Sequence, residues 1–166
     1  MTTSPAERET RRIPARALRD PVQLLALGFG AGLVPVAPGT AGSLLGIAAA
    51  LLAAQWGAWV AASITAIVVV TGVWICGEGA RRLGVHDHPA IVWDEIAGMM
   101  MTMLAAPRGW EWTALAFALF RAFDIIKPWP IREIDHAMHG GAGIMLDDVM
   151  AGILAALVLL LIRSIT

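Results

Sequence analysis

Three apolar runs, Ala58–Cys76, Trp110–Ile126 and Asp147–Arg163, each approach the length that crosses a bilayer core, and nothing else in the chain narrows its fold so sharply. Two shorter runs, Ser43–Ala54 and Asp94–Ala106, alternate with them. At 1.5 Å per residue each short run covers roughly 18–20 Å, too little for a full crossing. They are expected as inclined half-helices packed inside a bundle. Composition agrees, with 58% hydrophobic and 15% charged residues, where a soluble domain carries about a quarter charged. The expected fold is all-α, a compact polytopic membrane bundle of about five to six helices, some half-spanning.

Residues 1–20 are polar and Arg-rich and precede the apolar stretch Val22–Val36. That order imitates a signal peptide. Gly28, Gly30, Gly32 and Pro35 interrupt the stretch, however, and no small-x-small cleavage site follows. The segment is therefore expected to be retained, as a flexible basic tail (1–20) and then a short interfacial or re-entrant piece opening a single membrane-embedded domain (21–166). The net charge of −1 gives no general attraction to nucleic acid. The single Cys76 excludes an internal disulfide and reads as a small apolar core residue.

The breaks at Gln55–Gly57 and Pro107–Gly109 are short enough to force tight helical hairpins. This puts the tail, the stretch 77–93 and the stretch 127–146 on one side. Arg8, Arg11, Arg12, Arg16, Arg19, Arg81, Arg82, Lys127 and Arg132 fall there, against Arg108 and Arg163 opposite. The positive-inside rule makes the first side cytoplasmic. Trp56, Trp59, Trp110 and Trp112 fall at the outer turns, and Trp74, Trp93 and Trp129 near the inner ends, as two interfacial belts would place them.

At the inner ends the chemistry gathers. One apolar run opens with Asp94-Glu95, another with Asp147-Asp148, and a third ends with Arg121, Asp124 and Lys127. A helix cap explains one acid at a helix start, but both starts carry two. Arg121 and Asp124 stand three apart, on one helix face inside an apolar run. A charge at membrane depth costs about 2.5–3.5 kcal/mol on insertion scales. A structural ion pair could explain them, but an intramembrane ionisable group is otherwise a functional candidate. Small residues (Ser43, Gly46, Ala50; Gly98, Thr102; Ala151, Gly152, Ala155) continue each polar end inward and would let the helices approach closely.

Carboxylates without Cys or His spacing suit a hard, oxygen-seeking cation, and Mg2+ fits best because it adds phosphate oxygens and waters to one or two carboxylates. The glycines and hydroxyls of Pro38-Gly39-Thr40-Ala41-Gly42-Ser43, read as a turn before a helix, could meet an anion. Of His86, His88, His136 and His139, the last is the best ligand candidate because Gly140-Gly141 follow it. Ile131, Ile134 and Met138 recur at helical spacing and suggest a short surface helix. Elements for a phosphocysteine, aspartyl-phosphate or phosphohistidine route are missing, which leaves direct attack by activated water.

These blocks resemble the phosphatidylglycerophosphatase A family over about residues 22–163. The resemblance is carried by Pro38 to Ser43, Asp87-His88, Ile91-Val92-Trp93-Asp94-Glu95 with Gly98, Phe120-Arg121-Ala122-Phe123-Asp124, Lys127-Pro128-Trp129-Pro130-Ile131, and His139 through Asp148 to Gly152. It implies a helical, magnesium-dependent phosphatase of the bacterial inner membrane that converts phosphatidylglycerophosphate to phosphatidylglycerol and phosphate. It further implies Asp94, Glu95, Asp124, Asp147 and Asp148 as catalytic carboxylates, with Glu95, Asp124, Asp147 and Asp148 as metal ligands. Thr40, Ser43, Arg121, Lys127 and His139 become phosphate contacts, with Asp87 a weaker candidate. The competing reading is a small transporter or channel subunit using Arg121 and Asp124 as an intramembrane relay. Ionisable groups on one side only favour the enzyme.

Overall fold

The computed structural model describes residues 13, 15–85, 88–129, 131–133, 138 and 140–165, which form helices and connecting turns with no strand among them. After a 3-10 turn, Ala15–Arg19, helix α1 spans Pro21–Ala26. A kinked 3-10 segment, Gly28–Leu33, follows. Five longer helices then make the bundle: α2 Pro38–Ala54, α3 Ala58–Leu83, α4 Trp93–Met103, α5 Trp110–Ile126 and α6 Gly141–Ile165. Helix α4 packs against α2, α3, α5 and α6 and so forms the axis of the bundle.

Local chemistry explains several boundaries. Asp20 caps α1, its Oδ1 accepting from the backbone N–H of Val22 at 2.9 Å, and Pro21 suits the first helical position. Gly84 closes α3 in the left-handed conformation at φ 70°. Lys127 closes α5 in the same region at φ 45°, where a side chain is strained. Arg82, near the end of α3, pairs with Asp20 at 2.5 Å and ties the start of α1 to the bundle. Its hydrogen bond holds the Asp20 carboxyl below the usual aspartate value.

Several boundaries differ from the sequence reading, three of them by enough to matter for the site. Helix α2 begins at Pro38, so Gly39, Thr40 and Gly42 lie in its first turns and not in a preceding loop. Helix α6 begins at Gly141, so Asp147 and Asp148 sit well inside it. Helix α3 continues beyond Cys76 to Leu83 and reaches 26 residues, about 39 Å at 1.5 Å per residue. That exceeds a hydrocarbon core of about 30 Å, and the excess lies at the end bearing Glu78, Arg81 and Arg82.

Helices α3 and α6 are long and apolar enough to cross a membrane. Only 28% of the most apolar window of α3 is buried and 44% of that of α6, whereas the core helix of a soluble protein would be mostly covered. Leu52, Val60, Ile67, Val70, Leu157 and Leu161 are exposed on the outside of the bundle. Trp56, Trp59 and Trp110 at one end, and Trp74 and Trp129 toward the other, are exposed as interfacial rings would be. Trp93 departs from the belt: its indole N–H donates to the Val68 carbonyl at 3.2 Å, and its ring lies 6.4 Å from that of Phe29.

Where helices cross, side chains are small. A Cβ at Gly46 would stand 2.8 Å from the Ile96 carbonyl, and one at Gly98 2.6 Å from the Phe120 ring. Around these crossings lies a core of Met99, Ala116, Phe120, Ala151, Ala155 and Leu159. Cys76 is fully buried beside Met145, as a small apolar residue would be.

Candidate active site

The first turn of α4 carries Asp94 and Glu95, and it is fixed from both flanks. Before it, the Val92 N–H donates to the Ala26 carbonyl at 2.9 Å, and within it the indole of Trp93 anchors to α3. Opposite, α6 approaches so closely at Gly98 and Gly152 that a Cβ at either would overlap the other helix. Thr102, fully buried, donates to the Gly98 carbonyl at 3.0 Å and lies 3.4 Å from that of Gly152. One turn from Gly152 stands Asp148, and the crossing therefore delivers its carboxylate to those of Asp94 and Glu95.

Oxygen atoms of Asp94, Glu95 and Asp148 lie within 4.8 Å of one another. Asp94 is 8% exposed and Asp148 3%, so water screens them poorly. Two like charges at 4 Å repel by about 4 kcal/mol at an effective dielectric constant near 20. Three such carboxylates stay ionised together only with positive charge among them, and as a set of oxygen donors they can hold a metal ion. The buried Glu95 Oε2 has no hydrogen-bond partner among the described residues, which leaves a lone-pair site for such an ion.

Positive charge comes from α5. Arg121 Nη1 pairs with Asp124 Oδ2 at 2.5 Å, both side chains mostly buried. The other face of Asp124 turns to Asp148, and Glu95 interacts with both Arg121 and Asp124. Arg121 Nε is buried without a hydrogen-bond partner among the described residues. A donor left in that state costs about 1–3 kcal/mol, so an acceptor there would be stabilising. Lys127 Nζ pairs with Asp147 Oδ2 at 2.5 Å, and Asp147 in turn feels Asp94. The strained backbone of Lys127 thus sits at the rim of the acidic group, where such strain commonly accompanies function.

The start of α2 completes the arrangement. A Cβ at Gly39 would overlap the Glu95 carboxylate and stand 3.1 Å from Arg121 Nη1. No side chain caps this N-terminus; Pro38 has no N–H and those of Thr40 and Ala41 donate to the Ala37 carbonyl, which leaves the N–H of Gly39 to carry the positive end of the helix dipole. Beside it opens a cavity of about 650 Å³ lined in part by Gly32, Val34, Pro38, His88 and Ala90.

Most of the residues singled out from sequence are thus neighbours. Asp94, Glu95, Asp124, Asp148 and Arg121 share one group, and the Asp147–Lys127 pair flanks it. Thr40 is half-buried in the first turn of α2. Ser43 is fully buried and donates to the Gly39 carbonyl at 2.8 Å, so its hydroxyl has a partner within its own helix. His139 and Asp87, like His86 and His136, lie outside the described residues. The sequence reading took Glu95, Asp124, Asp147 and Asp148 as ligands; the trio whose oxygens lie within 4.8 Å of one another among the described residues is Asp94, Glu95 and Asp148. Helix capping does not explain Asp147 and Asp148, which lie beyond the first turn of α6.

Comparison with known proteins adds an independent line. The model of the family described as Phosphatidylglycerophosphatase A matches residues 24–163. The chain is 41% identical over 157 residues to the Phosphatidylglycerophosphatase A of Escherichia coli (strain K12), covering 94% of this chain and 91% of that protein. It is 45% identical over 149 residues to the protein of the same name from Haemophilus influenzae, covering 89% and 91%. A Bacteroides thetaiotaomicron protein, provisionally named a phosphatidylinositol-3-phosphatase, is 36% identical over 148 residues, covering 84% and 92%. No solved structure matches the chain.

Proposed function

Because the chain belongs to the phosphatidylglycerophosphatase A family, we propose that it hydrolyses the terminal phosphomonoester of phosphatidylglycerophosphate, releasing phosphatidylglycerol and inorganic phosphate. It does so as a multi-pass protein of the bacterial inner membrane, with the site facing the cytoplasm. The observation that carries this reading is the meeting of three carboxylates from α4 and α6 with Arg121 of α5 and the open N-terminus of α2. Acids alone would repel a phosphate; acids beside an arginine with an unpartnered Nε make a place for a cation and an anion together.

Each group has a task in that reaction. Arg121, steadied by Asp124, donates from Nε and Nη1 to the phosphate oxygens, and charge-assisted bonds of this kind are the strong ones. The Thr40 hydroxyl and the N–H of Gly39, in the first turn of α2, bind the same phosphate from the other side. Lys127, held by Asp147, offsets charge as it builds. A carboxylate of the acidic group takes a proton from the attacking water while the water oxygen bonds to phosphorus. The ester P–O bond breaks, and the departing alkoxide takes up a proton to become the hydroxyl of phosphatidylglycerol. Asp94, Glu95 and Asp148 fit magnesium, with Asp124 and Asp147 close by, and the ion when bound would supply charge stabilisation to the phosphate and acidify a nearby water.

The test is phosphate release by purified protein in lipid nanodiscs, with magnesium or with a chelator. Release from phosphatidylglycerophosphate that stops with the chelator is expected, faster than from phosphatidylinositol 3-phosphate or phosphatidic acid. No release from any of the three with magnesium present would overturn the reading. The transporter reading gains no support, since the polar side chains of α5 stop at Arg121 and the helix is apolar from Ala114 to Phe120.

A further inference from the structure

Outside the acidic group, one surface feature begins one helical turn from it. Between α2 and α5 lies an apolar groove of about 530 Å³ lined by Leu44, Ile47, Leu51, Trp110, Ala114 and Phe117. Its walls are single helical stripes. On α2 the positions 44, 47 and 51 recur at helical spacing, and one turn back along the same stripe is Thr40. On α5 the positions 110, 114 and 117 do likewise, and one turn onward is Arg121. Each wall is therefore apolar until its inner end, where it presents a phosphate contact.

The two inner ends meet. Arg121 Nη1 stands 3.1 Å from where a Gly39 Cβ would be, in the first turn of α2. The groove itself is an apolar body extending roughly 10 Å, two turns of helix, toward the outer end of the bundle, and the Arg121 guanidinium, with its unpartnered Nε, stands one turn inward of it. An anion joined through a polar linker to a hydrocarbon chain has that charge order. The large apolar side chains of the groove are open to the surroundings, Leu44 at 54% and Leu51 at 50% exposure, so a chain could enter sideways from the bilayer without leaving lipid.

We propose that the α2–α5 groove is an acyl-chain subsite, holding one fatty-acyl chain of the phospholipid substrate while its terminal phosphate lies at Arg121 and Gly39. The inference rests on the functional reading above and extends it: the enzyme selects a lipid phosphomonoester over a water-soluble one through this groove. Hydrocarbon taken into it aligns the phosphate with Arg121, so chain binding assists turnover as well as capture.

The experiment compares phosphate release from long-chain phosphatidylglycerophosphate with release from its deacylated form, glycerophosphoglycerophosphate. Ala114→Trp and Leu44→Trp fill the groove from opposite walls, and Ile67→Trp places the same bulk on the exposed face of α3. The ratio of long-chain to deacylated activity should fall about tenfold in both groove variants and stay unchanged in Ile67→Trp, since a pocket mismatch of this size is worth 10-fold or more. The ratio is independent of how much protein folds, because both substrates report on the same folded fraction. An active wild type with an unchanged ratio in both groove variants overturns the subsite and leaves the functional reading intact. The same unchanged ratio with a shift in particle mass in detergent makes the groove a contact between two copies, which also overturns it. Wild-type protein that releases phosphate from neither compound ends the functional reading and the subsite together.

Discussion

Two ionic networks stand at the same end of this bundle, and they differ in how completely they are satisfied. In the first, Glu78 receives Arg81 at 2.6 Å and Arg82 at 2.7 Å, and Arg82 reaches on to Asp20 at 2.5 Å. Its bases reach toward water, the Arg81 side chain 73% and that of Arg82 34% exposed, while Glu78 between them is 16% exposed. Charges balance and each acid has its base. In the second, Asp94, Glu95, Asp124 and Asp148 crowd about Arg121, largely buried, with Glu95 Oε2 and Arg121 Nε left over. Exposed, balanced pairs of the first kind contribute little and hold a chain end in place. A buried group with acids in excess and an unpartnered arginine Nε is suited to hold a cation and an anion together.

If that contrast is sound, damage to the second network should abolish chemistry and damage to the first should not. The largest effect is expected for Asp124→Asn, which keeps shape but frees Arg121 and removes one negative charge. Phosphate release should fall about a thousandfold, equivalent to about 4 kcal/mol of barrier, with membrane insertion unchanged; an active variant would remove Asp124 from the site. Next comes the ion. Magnesium at a hundred times its dissociation constant should stabilise the wild type by about 2.7 kcal/mol, read as a rise in Tm, and Glu95→Gln should lose most of that rise. Equal rises in both proteins would place the ion elsewhere.

Lys127 offers a sharper separation of strain from chemistry. Lys127→Ala and Lys127→Gly both lose the bond to Asp147, but only glycine relieves the positive φ. The glycine variant should be about 1 kcal/mol more stable than the alanine variant in thermal melts, while both lose phosphate release alike. Equal stability would show that the backbone at Lys127 is relaxed. The smallest effect belongs to the satisfied network. Arg82 lowers the folded-state pKa of Asp20, so its contribution is present above the ordinary aspartate value and lost as pH falls through the lowered one. Arg82→Ala should leave activity unchanged at neutral pH and flatten the acid side of the Tm-against-pH curve. A large loss of activity would mean that the contrast between the networks is wrongly drawn.

Some of this was readable along the chain and some was not, for reasons that particular residues make plain. Arg121 and Asp124 declared themselves because a charge inside an apolar run is costly wherever the run ends up. Helix α5 matched its sequence bounds because its edges are marked by Gly109 and Lys127-Pro128. The start of α6 hid behind Gly140, Gly141 and Gly143, which read as a loop because glycine is a poor helix former. Close packing of Gly141 against Val73 and Gly77 of α3 gives that glycine a reason to be helical, while Gly140 before it stays outside the helix at φ 76°. Ser43 looked like a ligand by its type, yet its position on α2 turns it into the bundle, where its hydroxyl bonds to Gly39.

What the sequence determined alone was local and energetic: which stretches must avoid water, which must be helical, and which ionisable groups had no cheap resting place. Those follow from hydropathy and spacing, which are properties of neighbours along the chain. Which carboxylates face one another was decided by tertiary structure, because it depends on where α4 and α6 cross. Gly98 and Gly152 permit that crossing, but a permissive glycine does not say which helix will use it. The distance from Asp94 to Asp148 is therefore set by packing between helices far apart in sequence, and no local pattern encodes it.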